Sequence, residues 1–136
     1  MRLRSESVLA PLGLRPRHLV ALTVLNDHAE ITQQALACAL QLDSTNVVGL
    51  LNELEDAGLV IRRRSPQDRR RHIVELTDAG RERLAKAGFA LTAVEDDVLS
   101  ALSDEQRGQF FELLQAALGD PEDAYVPEIP DSSDVC

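Results

Sequence analysis

The chain has 136 residues, enough for one domain, and 44% of them are hydrophobic, enough for a core. Aromatics make up 3% and Trp is absent, so that core must rest on Leu, Val and Ala. No segment approaches the roughly 18 consecutive apolar residues of a membrane span, and the basic start lacks the apolar run of a signal peptide, so a soluble, cytoplasmic protein is expected, with no membrane partner.

From the N-terminus, residues 3–12 suit a short amphipathic helix limited by Pro11 and Gly13. Pro16 fits the first turn of a second helix, where its missing N–H costs nothing. Leu19, Leu22 and Leu25 follow at helical spacing, and Asn26, Asp27 and His28 end it. Thr32 can cap a third helix from Gln33 to about Leu40. Asp43-Ser44-Thr45-Asn46 then opens a fourth, over 44–57, with Gly58 placed to stop it. Cys38 lies among Ala and Leu and reads as a small buried residue. With Cys136 far away in the sequence, no disulfide framework is expected.

Within the fourth helix, Val47, Leu50, Leu51 and Leu54 cluster on one side, the core face. The opposite face carries Thr45, Gly49, Asn52 and Asp56, flanked by Asn46, Val48 and Glu53. Its N-terminal half is small and polar, while Glu53, Glu55 and Asp56 lie toward the C-terminal end. That polarity suits a helix entering a DNA groove N-terminus first. The acids sit at the wrong end for the helix dipole and need solvent or a partner.

The stretch 59–76 is the most unusual. Val60 and Ile61 open it, Ile73 and Val74 close it, and the Pro-containing loop between them reads as a hairpin. It carries six arginines against two acids, a net +4. Residues 1–59 carry net −3 and residues 77–136 net −10, within a total of −9. Positive charge focused at one site suits local binding of a polyanion.

After it, Thr77-Asp78 caps a long helix. Leu84, Ala87, Leu91, Val94, Val98 and Ala101 fall at alternating three- and four-residue spacing, a weak heptad-like seam. Gly80 and Gly88 are costly in a helix interior, and close packing would be one reason to keep them. Ser103-Asp104-Glu105-Gln106 is a capping box for a last helix to about Leu118. Residues 120–136 hold six acids, three prolines and no base, and read as a disordered acidic tail. The domain is thus 1–119.

The order helix, turn, helix, hairpin is that of a winged helix-turn-helix. Here the chain resembles the MarR family of transcriptional regulators. The resemblance runs from about Gly13 to Leu118 and is carried by Ile31-Thr-Gln-Gln-Ala-Leu-Ala, Leu42-Asp-Ser-Thr-Asn-Val-Val, Leu50-Leu-Asn-Glu-Leu-Glu-Asp-Ala-Gly-Leu-Val, Pro66-Gln-Asp-Arg-Arg and Val74-Glu-Leu-Thr-Asp-Ala-Gly-Arg. It implies a mainly α fold with a small β-hairpin and terminal dimerisation helices. It also implies a homodimer that represses transcription from a palindromic operator in double-stranded DNA, with 44–57 as recognition helix and 59–76 as wing.

The DNA-binding residues so implied are Thr32, Gln33, Ser44, Thr45, Asn46, Gly49, Asn52, Arg62, Arg64, Asp68, Arg69 and Arg70. Asp68 and Arg70 match the family's Asp-x-Arg wing motif, the carboxylate holding the guanidinium for a narrow minor groove. Gly49 stands where many members carry a basic residue, which implies wing-dependent binding. The first helix is short by the family's measure. The family's small phenolic or anionic effectors bind near Arg15 and His18, which read either as part of an anion site or as an exposed polar cluster. No zinc-like cluster, phosphate loop or catalytic constellation is present, so neither metal, cofactor nor enzyme activity is expected. The alternative is a winged-helix protein-interaction module with little DNA affinity.

Overall fold

The structure is a computed structural model and describes residues 2–118. The acidic tail lies outside the described residues. Helix α1 (Arg2–Leu9) runs into a 3-10 turn at Ala10–Leu12, followed by α2 (Pro16–Asp27), β1 (Ile31–Thr32), α3 (Gln33–Ala39), α4 (Ser44–Asp56), β2 (Val60–Arg64), β3 (His72–Leu76), α5 (Asp78–Val98) and α6 (Asp104–Leu118). The anticipated caps form. Thr32, Asp43, Thr77 and Ser103 each accept a backbone N–H three residues on. Gly58 takes the left-handed conformation that ends α4, at φ 72°.

The strands form one antiparallel sheet in the order β1-β3-β2, with Ile31 opposite Val74 and Arg62 opposite Val74 on the other side. The hairpin is therefore enlarged by a third strand. β1 is two residues long and owes its form to its partner β3, a long-range pairing that local sequence does not encode. Leu22, Leu36, Leu51 and Val74 are wholly buried where α2, α3, α4 and the sheet meet.

Gly80 lets α5 lie against the wing's root. A Cβ there would stand 2.2 Å from the Leu59 carbonyl oxygen. Gly88 is different, since a Cβ there meets nothing within 4 Å. Of the expected seam, Ala87 is buried, Leu84, Leu91 and Val94 are half-buried and Val98 is exposed, while Ala101 lies beyond the end of α5. Helix α6 buries none of its residues, so Phe110, Phe111, Leu113, Leu114 and Leu118 all face outward. Cys38 is half-buried, not fully buried as its apolar neighbours suggested.

Candidate nucleic-acid interface

Helices α3 and α4 make the helix-turn-helix. The turn passes through Gln41 at φ 54°, and Leu42 N–H returns to the Ala37 carbonyl at 2.9 Å. The Thr32 hydroxyl is spent on the α3 cap, which leaves Gln33 in the first turn beside it. At the start of α4, Asp43 Oδ1 accepts Asn46 N–H and Oδ2 accepts the Asn46 side-chain amide, both at 2.8 Å. Asn46 is thereby tied to the cap, and the main-chain hydrogen bond it gives is the largest of the effects that hold the Asp43 carboxyl below the usual range. Ser44, Thr45, Gly49 and Asn52 are exposed on the same helix.

Two of the acids at the far end of α4, Glu53 and Glu55, have partners. Arg17 Nη2 lies 2.6 Å from both carboxylate oxygens of Glu53, and His18 Nε2 lies 2.6 Å from Glu53 Oε2. These contacts, that of His18 first, hold the Glu53 carboxyl below the usual range. Arg62 reaches Glu55 Oε2 with Nε at 3.1 Å and Nη2 at 2.6 Å and depresses that carboxyl likewise. Glu53 and Glu55 of α4 are thus bonded back into the protein, while Asp56 is exposed.

His18 is buried, whereas Arg15 is exposed. Arg15 N–H donates to His18 Nδ1 at 3.0 Å, the acceptor half of a capping box for α2. Of the two residues read as a candidate effector site, His18 is thus committed within the protein. The sequence could not show this, since Glu53 lies 35 positions away.

In the wing, the loop 65–71 is built on Ser65, which is buried. Its hydroxyl accepts the N–H groups of Gln67 and Asp68 at 3.3 and 3.4 Å, and its own N–H donates to the Arg71 carbonyl at 2.9 Å. Asp68 Oδ1 accepts Arg70 N–H at 3.0 Å, while its Oδ2 lies 3.6 Å from Arg71 Nε. The expectation that Asp68 grips the Arg70 guanidinium is corrected. In this tight turn the carboxylate reaches the main chain two residues on and the side chain three on.

The six arginines divide into two groups. Arg62, Arg63 and Arg71 pair with acids, Arg63 with Glu75 at 2.8 Å and with Glu30. Arg64, Arg69 and Arg70 are exposed, and among the described residues no acid pairs with them. The paired set braces the wing and the unpaired set projects from it. A polar recess of about 150 Å³ joins the wing to the start of α3, lined by Thr32, Gln33, Gln34, Arg70, Arg71 and His72. Gln34 and His72 were not singled out in the sequence, because β1 and β3 bring them there. Among the described residues no cluster of three or more His, Cys, Asp or Glu could hold a metal ion, and no single helix is long and apolar enough to cross a membrane.

The family model described as MarR family matches residues 14–72. A regulatory protein assigned to the hcr operon of Thauera aromatica is 35% identical over 111 residues, covering 82% of this chain and 67% of that one. The chain belongs to the MarR family. As a member, it is a DNA-binding transcriptional regulator. Its fold matches that of the transcriptional repressor CouR bound to a 23-mer DNA duplex, with 32% identity, a TM-score of 0.73 and coverage of 87% and 84% of the two chains. It also matches CouR from Rhodococcus jostii RHA1 bound to p-coumaroyl-CoA, at 27% identity and a TM-score of 0.64, covering 85% and 81%. The matched stretch spans 62–67% of the length of the first three curated relatives.

Proposed function

We propose that this regulator is a cytoplasmic homodimeric repressor that binds a short palindromic operator and is released by a small anionic or phenolic molecule. The carrying observation is the division of the wing arginines. Among the described residues, Arg64, Arg69 and Arg70 have no acid partner, beside a recognition helix whose Glu53 and Glu55 are paired from within. In a chain of net charge −9, that leaves a cationic surface directed outward from the wing. Thr45 and Gly49 would lie in the major groove and the wing in the adjacent minor groove. Gln33 and the recess it shares with Arg70 suit the phosphates between them.

Dimerisation is supported by the apolar side chains that α6 leaves exposed and by a groove of about 560 Å³ between α5 and α6, lined by Val98, Leu99, Phe110, Phe111 and Leu114. Effector release rests on the ligand-bound CouR relative and on the exposed Arg15, with His18 acting through its bond to α4. The test is fluorescence anisotropy with DNA from upstream of the chain's own coding region, combined with sedimentation of the free protein. Steep loss of affinity with salt and a two-fold symmetric footprint are expected. Salt-independent binding, or a monomer at the concentrations that saturate DNA, would refute the proposal.

A further inference from the structure

We propose that Asn52 reads one base of each operator half-site as a hydrogen-bond donor, and that Arg62 is the residue that fixes its orientation. Arg62 Nη2 lies 2.6 Å from Asn52 Oδ1. A guanidinium has only donors, so the atom it faces must be the amide oxygen. The NH2 group then occupies the other end of the amide. Asn52 is exposed, seven residues beyond Thr45 and on the same face of α4. A flipped amide would set donor against donor and forfeit a charge-assisted hydrogen bond. Arg62 is not free to swing away, because Glu55 holds its Nε and Nη2 and only 20% of its side chain is exposed. The chain Glu55–Arg62–Asn52 thus presents donors outward.

The inference rests on α4 entering the major groove. Seven residues of helix span roughly 10 Å, within the groove's width of about 12 Å, so Asn52 shares a groove with Thr45. There, guanine, adenine and thymine offer acceptors (N7, O6 or O4), whereas cytosine offers a donor. A donor at Asn52 therefore favours guanine, adenine or thymine and rejects cytosine at that position. Arg62 is a positioning residue in this reading, not a contact of its own.

The test is selection from a randomised operator library, read by sequencing, for the full chain and for Asn52→Asp and Arg62→Gln, with each variant's fold checked by circular dichroism. Asn52→Asp keeps an acceptor for Arg62 and removes the donors. It should shift preference at one position per half-site away from acceptor edges toward cytosine, by about tenfold. Arg62→Gln should flatten preference at that same position and leave the others intact. Uniform loss of affinity for all sequences would make Asn52 a phosphate contact and overturn the inference. A selected site unchanged by Asn52→Asp overturns it too. If the unaltered chain selects no sequence at all, the repressor reading falls, and this one with it. Should Arg62→Gln fail to fold, the Asn52→Asp result decides.

Discussion

His18 Nε2 lies 2.6 Å from Glu53 Oε2 and joins the start of α2 to α4. Because His18 Nδ1 already accepts Arg15 N–H, the ring proton in the neutral form sits on Nε2 and is donated to the carboxylate. One imidazole therefore caps one helix and restrains another. Arg17 completes the grip on Glu53.

The Glu53 carboxyl is held below its ordinary range by His18 and then Arg17, so its ionised form is favoured by folding. For a depressed carboxyl, the stabilisation is full above the unfolded value and is lost as pH falls through the folded one. Glu53→Gln should therefore lower the urea midpoint at neutral pH. The gap from the unaltered chain should close as pH falls below the ordinary glutamate range. A gap that persists unchanged into strong acid would contradict this role.

Gly80→Ala places a Cβ 2.2 Å from the Leu59 carbonyl oxygen and 2.7 Å from Leu76 Cδ1. Backbone on one side leaves little room to yield, so a loss of about 3 kcal/mol is expected in chemical denaturation. Gly88→Ala is the counterpart. It meets open space in the protomer and should gain roughly 0.5–1 kcal/mol from helix propensity. Equal effects at the two sites would mean that the contact between α5 and the wing's root is not the reason for Gly80.

Much of this fold was legible because its signals are local. The caps at Thr32, Asp43, Thr77 and Ser103 depend on residues three apart, and the core face of α4 on helical period alone. β1 was not legible, since two residues become a strand only through β3. The site was legible as a concentration of arginines but not as a division among them. That Arg62 and Arg63 pair depends on Glu30, Glu55 and Glu75, brought close by the fold from as far as 33 positions away. The same holds for His18, whose partner is set by the crossing of α2 and α4.

Gly49 is exposed and a Cβ there meets nothing within 4 Å. Gly49→Arg should fold normally and place a cation on the groove face of α4. DNA affinity should rise, and the slope of log affinity against log salt should steepen by about one. An arginine that folds but leaves the slope unchanged would show that this face of α4 does not meet DNA.

On the proposed function, the unpaired wing arginines carry DNA binding. Salt titration of Arg70→Ala beside the unaltered chain tests it most directly. The expected result is a loss of roughly 1–3 kcal/mol in affinity and a slope shallower by about one, with no change in unfolding midpoint. Affinity and slope both unchanged in a folded Arg70→Ala protein would contradict it.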